Sequence, residues 1–187
     1  MKISSTFDAE SWFRQSLRGA PQLKPKTIKI VAGFTLLWNL FEDRLCDNNA
    51  NVRTFENITR DLTNSSKLEN LVNKSMTFYQ ERYVQGQEMK YIFDELYFRN
   101  GDRKEYVESV LKGGMFEIND KVLALLIIAY RIRNHLFHGL KSVDNWDEQA
   151  KNISEASRIL SIIIEAKGGY IIKRKRYLTL DDLSPPK

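Results

Sequence analysis

Both histidines of this chain fall in one stretch of nine residues, Arg131-Ile132-Arg133-Asn134-His135-Leu136-Phe137-His138-Gly139. The residue types there can bind an anion and move a proton. An imidazole moves protons near neutral pH, and a guanidinium offers two parallel hydrogen bonds to an anionic group. Spacing decides which of them meet. Asn134 and His138 are four apart and share one helix face, whereas Arg133 and His138 diverge by about 140° on a regular helix. Those two converge on one ligand only through the long arginine side chain, or if the helix unwinds before Gly139. His138 sits in the last turn, where the negative end of the helix dipole favours imidazolium.

The element that must position this cluster is the segment before it. Val122 to Tyr130 is apolar on every side, so it reads as a helix through the middle of the domain, Lys121 to about His138, capped by Asn119 or Asp120 and stopped at Gly139. Arginine and histidine at the end of such a helix must be paired or bound to something. Around it the chain reads helix after helix. Asp8 caps a short first helix carrying Trp12, Phe13 and Leu17. A second helix, about Thr27 to Leu45, carries Phe34, Leu37, Trp38, Phe41 and Leu45 in one apolar stripe. Val52 to Thr63 is ambiguous between a short helix and a loop. Ser66 and Glu69 have capping-box spacing and open a helix through Tyr79. Gly86 breaks it, a helix from about Gln87 to Phe98 follows, and Asp102 starts another that ends at Gly113-Gly114. A second box at Asn145 to Glu148 opens the last helix, through Ile164. The expected architecture is a single all-α domain over residues 1–187, an antiparallel helical bundle. Residues 66–114 form a helical insertion, and 170–187 form a basic C-terminal tail.

Composition sets the limits. At 187 residues with 42% apolar side chains, the chain can build a core, and wholesale disorder is excluded. One cysteine, Cys46, excludes a disulfide scaffold and a structural zinc cluster. No apolar run reaches about 18 residues and the N-terminus lacks an apolar signal core, so no membrane association is expected and the compartment reads as cytoplasmic. The net charge of +5 favours encounter with nucleic acid only modestly.

Arg133-Asn134-His135-Leu136-Phe137-His138 resembles the Arg-x4-6-His motif of the HEPN domains, in its Arg-Asn-x-x-x-His form. The flanking Tyr130 and Gly139 make it similar to stand-alone bacterial HEPN ribonucleases of the toxin and phage-defence type. The close likeness covers about ten residues; elsewhere only helix order and character agree. The resemblance implies a metal-independent endoribonuclease with no cofactor, leaving a 2′,3′-cyclic phosphate and a 5′-OH. His138 would be the general base or acid, Arg133 the phosphate ligand and Asn134 an orienting group. It also implies a homodimer whose two motifs face one cleft, which eases the angular separation of Arg133 and His138, with Leu136 and Phe137 at the seam. Glu42, flanking the aromatic stripe, is the candidate to pair with Arg133 or set a histidine tautomer, and Asp43 is second choice.

The remaining candidates have plainer readings beside them. His135 is either a supporting residue or a packing one. Arg131 is either a salt-bridge residue or an RNA contact. With Lys141 and the run Lys173-Arg174-Lys175-Arg176, it makes up the cations placed to track an RNA backbone. Residues 167–187 carry six basic and two acidic side chains, a balance that equally suits a solvated edge. Tyr170 and Tyr177 could stack on bases. The aromatic group Tyr91, Phe93, Tyr97, Phe98 belongs to the core or to an interface. The competing function is a catalytically inactive HEPN-type module that binds nucleotide, RNA or a protein partner, such as a nucleotidyltransferase-like antitoxin. A structural subunit of a larger defence complex is a third.

Overall fold

The computed structural model describes residues 6–137 and 143–167, without the side chains of Phe137 and Asp144. They form an all-α domain. In chain order the helices are α1 (Ala9–Ser16), α2 (Pro25–Leu45), α3 (Val52–Arg60), α4 (Ser66–Tyr83), α5 (Tyr91–Asp94), α6 (Lys104–Lys112), α7 (Ile118–Phe137) and α8 (Trp146–Ala166). Single turns of 3₁₀ helix, Ala20–Gln22 and Val143–Asn145, precede α2 and α8. No helix among the described residues is long and apolar enough to cross a membrane.

Local signals explain most boundaries. Asp8 accepts from the Ser11 backbone N–H at 3.0 Å and caps α1. α2 starts two residues earlier than the hydrophobic stripe suggests, because Pro25 occupies its first turn, where no N–H is needed. The cap of α4 is Ser65, whose Oγ accepts from Leu68 N at 3.2 Å, one residue ahead of the predicted box. Val52–Arg60 resolves as helix, capped by Asn51. α7 starts at Ile118, ahead of the predicted caps. The Asp120 carboxylate reaches back to Glu117 N at 3.2 Å, and accepts from the Tyr106 hydroxyl at 3.0 Å.

The expected helix over 87–98 is not formed. Val84–Gln85 and Glu88–Met89 pair as a two-stranded antiparallel hairpin (β1 and β2) around Gly86, which takes φ +61°. Only one turn, α5, remains of the helix; Leu96 to Arg103 is irregular.

α7 is the central element, enclosed from Val122 to Ala129. α8 runs antiparallel to it, Ile132 lying near Ile153 at one end and Val122 near Ile162 at the other. α4 lies along α8 in the same opposed sense: Lys67 meets Glu165 and Tyr79 meets Asn152. α2 packs extensively on α8 with both N-termini together. There the Asp147 carboxylate accepts from the Thr27 hydroxyl and the Lys24 N–H, so the expected Asn145 box gives way to a tertiary contact. The segment 66–114 contributes Val72, Met76, Tyr79, Phe93, Val107 and Leu111 to the same core as α2, α7 and α8. Each such side chain fully buried stabilises by about 1.5–3 kcal/mol.

Candidate functional site

The last two turns of α7 change character without leaving the protein interior. Arg131 is 1% exposed, Asn134 3% and His135 4%, while Arg133 is half-buried. About 100° per residue sends these side chains to different neighbours.

Arg131 turns toward the irregular segment after α5. Its Nε donates to the Leu96 carbonyl at 3.0 Å, Nη2 donates to the Tyr97 carbonyl, and Nη1 lies 2.9 Å from Asp102 Oδ2. Burial lowers its pKa, and the Asp102 carboxylate opposes that shift. Of its two expected roles the structure builds the salt bridge. As an RNA contact Arg131 is corrected: its guanidinium is enclosed and committed to the fold.

Arg133 turns the other way, toward α2. Its guanidinium lies 5.7 Å from the Trp38 ring centroid, and Nη1 donates to Asn134 Oδ1 at 3.2 Å. Trp38 is itself fixed: it stacks on Tyr130 at 6.0 Å and its indole N–H donates to Glu42 Oε2 at 2.9 Å. Glu42 and Arg133 therefore address the same indole, the carboxylate at its N–H edge and the cation near its ring. Asp43 is exposed and paired with Arg44 at 2.8 Å. The sequence singled out Glu42 but not the tryptophan between them; a Trp four residues before the acid on the apolar stripe is the signal that could have found it.

His135 packs. Its ring lies 5.1 Å from the Tyr97 ring, inclined by 32°. It also walls a cavity of about 30 Å³ among α4, α5, α7 and α8, the room one or two waters take. Leu136, expected at a seam between two copies, lines the same cavity and packs on the core. The Phe137 side chain, His138, Lys141, Tyr170, the run 173–176 and Tyr177 lie outside the described residues.

Cys46, just past α2, is 3% exposed. Burial and then the Glu42 charge push its thiol up to about 12. It stays protonated at neutral pH and is no nucleophile. Among the described residues no three His, Cys, Asp or Glu side chains gather to hold a metal ion. Comparison of the chain with protein-family models, with curated proteins and with solved structures returns no match.

Proposed function

We propose that this protein is a HEPN-type endoribonuclease that needs no metal, works as a cytoplasmic homodimer and serves as a toxin or anti-phage effector. The observation that carries the reading is Arg133. It leaves a largely enclosed helix at its last turns, braced by Trp38 and Asn134, five residues before the remaining histidine in sequence. A guanidinium held in advance is what a phosphorane needs, since its charge develops where the donor already waits.

In this reading His138 takes the proton of a ribose 2′-OH, and that oxygen attacks the adjacent phosphorus. Arg133 balances the added charge. The 5′-oxygen leaves with the proton that an imidazolium of the cleft returns as general acid, giving a 2′,3′-cyclic phosphate and a 5′-OH. Glu42 acts through Trp38 as a positioning group. Two copies facing their motifs bring two arginines and two histidines into one cleft, and a partner protein restrains or recruits the activity.

Purified protein incubated with end-labelled RNA in EDTA should cut it and leave the cyclic phosphate. A 2′-deoxyribose at the cut position should abolish cleavage; robust cutting of that substrate would sink the mechanism. Sedimentation at micromolar concentration should show a dimer, and a monomer that still cleaves refutes the shared cleft. RNA binding without any cleavage would point instead to the inactive module.

A further inference from the structure

The structure divides the aromatic group around α5. Phe93 is buried and Phe98 half-buried, but Tyr97 is 57% exposed and Tyr91 80%. Tyr97 also takes φ +45°, the left-handed region that disfavours a bulky L residue. Arg131 holds it there. The guanidinium takes the carbonyls of Leu96 and Tyr97, and its partner Asp102 accepts from Arg99 N at 2.6 Å. Strained residues persist only where their surroundings over-determine them, and they gather at sites of binding and chemistry.

The placement of the ring supplies the use. One side lies against His135 within the motif, and the rest opens to solvent. Arg99, two residues on, is exposed. A fixed aromatic surface beside a cation is the combination that holds single-stranded nucleic acid.

We propose that Tyr97 is a stacking platform for one unpaired base of an RNA substrate, placing that nucleotide beside the motif end of α7. The inference rests on the ribonuclease reading. The surface around the ring argues against a second copy of the chain as its occupant. Its exposed neighbours in sequence, Asp94, Arg99 and Asn100, are polar, and Asp94 is bound to Lys104 at 2.7 Å. A stable seam buries about 800 Å² per partner around an apolar centre. A ring flanked in sequence by polar side chains suits a base instead.

The test uses the full chain and 2′-O-methyl oligonucleotides, which cannot be cut, with 2-aminopurine at each position in turn. Its fluorescence should change at one position on the wild type and on Tyr97→Phe, which keeps the ring. Tyr97→Asn keeps a residue that tolerates the left-handed backbone but removes the ring. It should lose that signal and bind about tenfold more weakly. On cleavable RNA its KM should rise by a similar factor while kcat holds. Wild-type cleavage with unchanged KM in Tyr97→Asn overturns the platform and leaves the nuclease standing. So does the absence of a position-specific signal on the wild type, which needs no variant, or a change of subunit state in Tyr97→Asn. A wild type that neither binds nor cuts RNA overturns both readings.

Discussion

Arg131 and Arg133 leave one helix two residues apart and meet opposite fates. About 160° of helical rotation, measured the short way, separates them. Arg131 enters the interior, where two carbonyls and one carboxylate take its guanidinium and tie α7 to a segment about 30 residues earlier. Arg133 reaches the edge of α2, lies near an indole and keeps part of its surface toward water. Residue type is the same; the neighbours decide whether the cation serves the fold or a ligand. A buried ion pair does not by itself argue for stability, but removing one member leaves the other without a partner.

The largest expected effect follows from that. Arg131→Met should destabilise by about 3–5 kcal/mol, because the Asp102 carboxylate, 7% exposed, loses its counter-charge. Arg133→Met should cost less than about 1 kcal/mol, the usual range for a side chain with partial exposure. Urea denaturation of both variants checks the order. The reverse order would mean that Arg133 carries the fold and Arg131 is the residue to spare.

Activity should show the opposite ranking. Arg133→Ala and His138→Ala should each lower the cleavage rate by roughly 10²-fold or more while the protein stays folded. His135→Ala should cost less in rate, and its loss of ring contact with Tyr97 should appear as about 1–2 kcal/mol of stability. A dead His135→Ala beside an active His138→Ala would reassign the catalytic histidine.

The same contrast marks what the sequence can and cannot tell. The apolar run before the motif predicts a central helix, and Val122 to Ala129 are buried as that requires. The stripe on α2 is equally legible, since local spacing alone sets which face is apolar. Residues 87–98 are not. Ile92, Phe93 and Leu96 have helical spacing, yet the chain turns at Gly86, makes one helical turn and then follows Arg131. That instruction comes from 34 or 35 residues away, where no local pattern records it. The choice between the two arginines is hidden for the same reason. It depends on Asp102 and Trp38, which lie in other elements.

Trp38→Phe sharpens the Arg133 side. It keeps most of the buried ring but removes the N–H that Glu42 accepts and weakens the cation–π contact, since indole is the better partner. About 1–2 kcal/mol of stability should be lost, the range of an unmade buried hydrogen bond. Cleavage should drop by a few-fold through a less fixed Arg133. Unchanged cleavage in a folded Trp38→Phe would remove the indole from the positioning of that cation.

The smallest effect lies at Cys46, on the far side of Glu42 from the motif. Its thiol is raised from 9.0 to about 12, chiefly by burial and secondarily by the Glu42 carboxylate. A raised acid means that the folded state holds its proton more tightly than the unfolded one. The stability it contributes is therefore complete below about pH 9 and is lost as pH rises from there through about 12. Wild type should lose stability relative to Cys46→Ala between pH 9 and 10, by at most about 1.4 kcal/mol over that unit; comparing the two variants cancels the tyrosines and lysines that titrate nearby. Glu42→Gln should lower the thiol pKa only modestly, because the larger cause remains, and thiol labelling at pH 9 should quicken slightly. A large acceleration would mean that the carboxylate, not burial, governs this end of α2. Glu42 would then carry more of the local electrostatics than its contact with Trp38 implies.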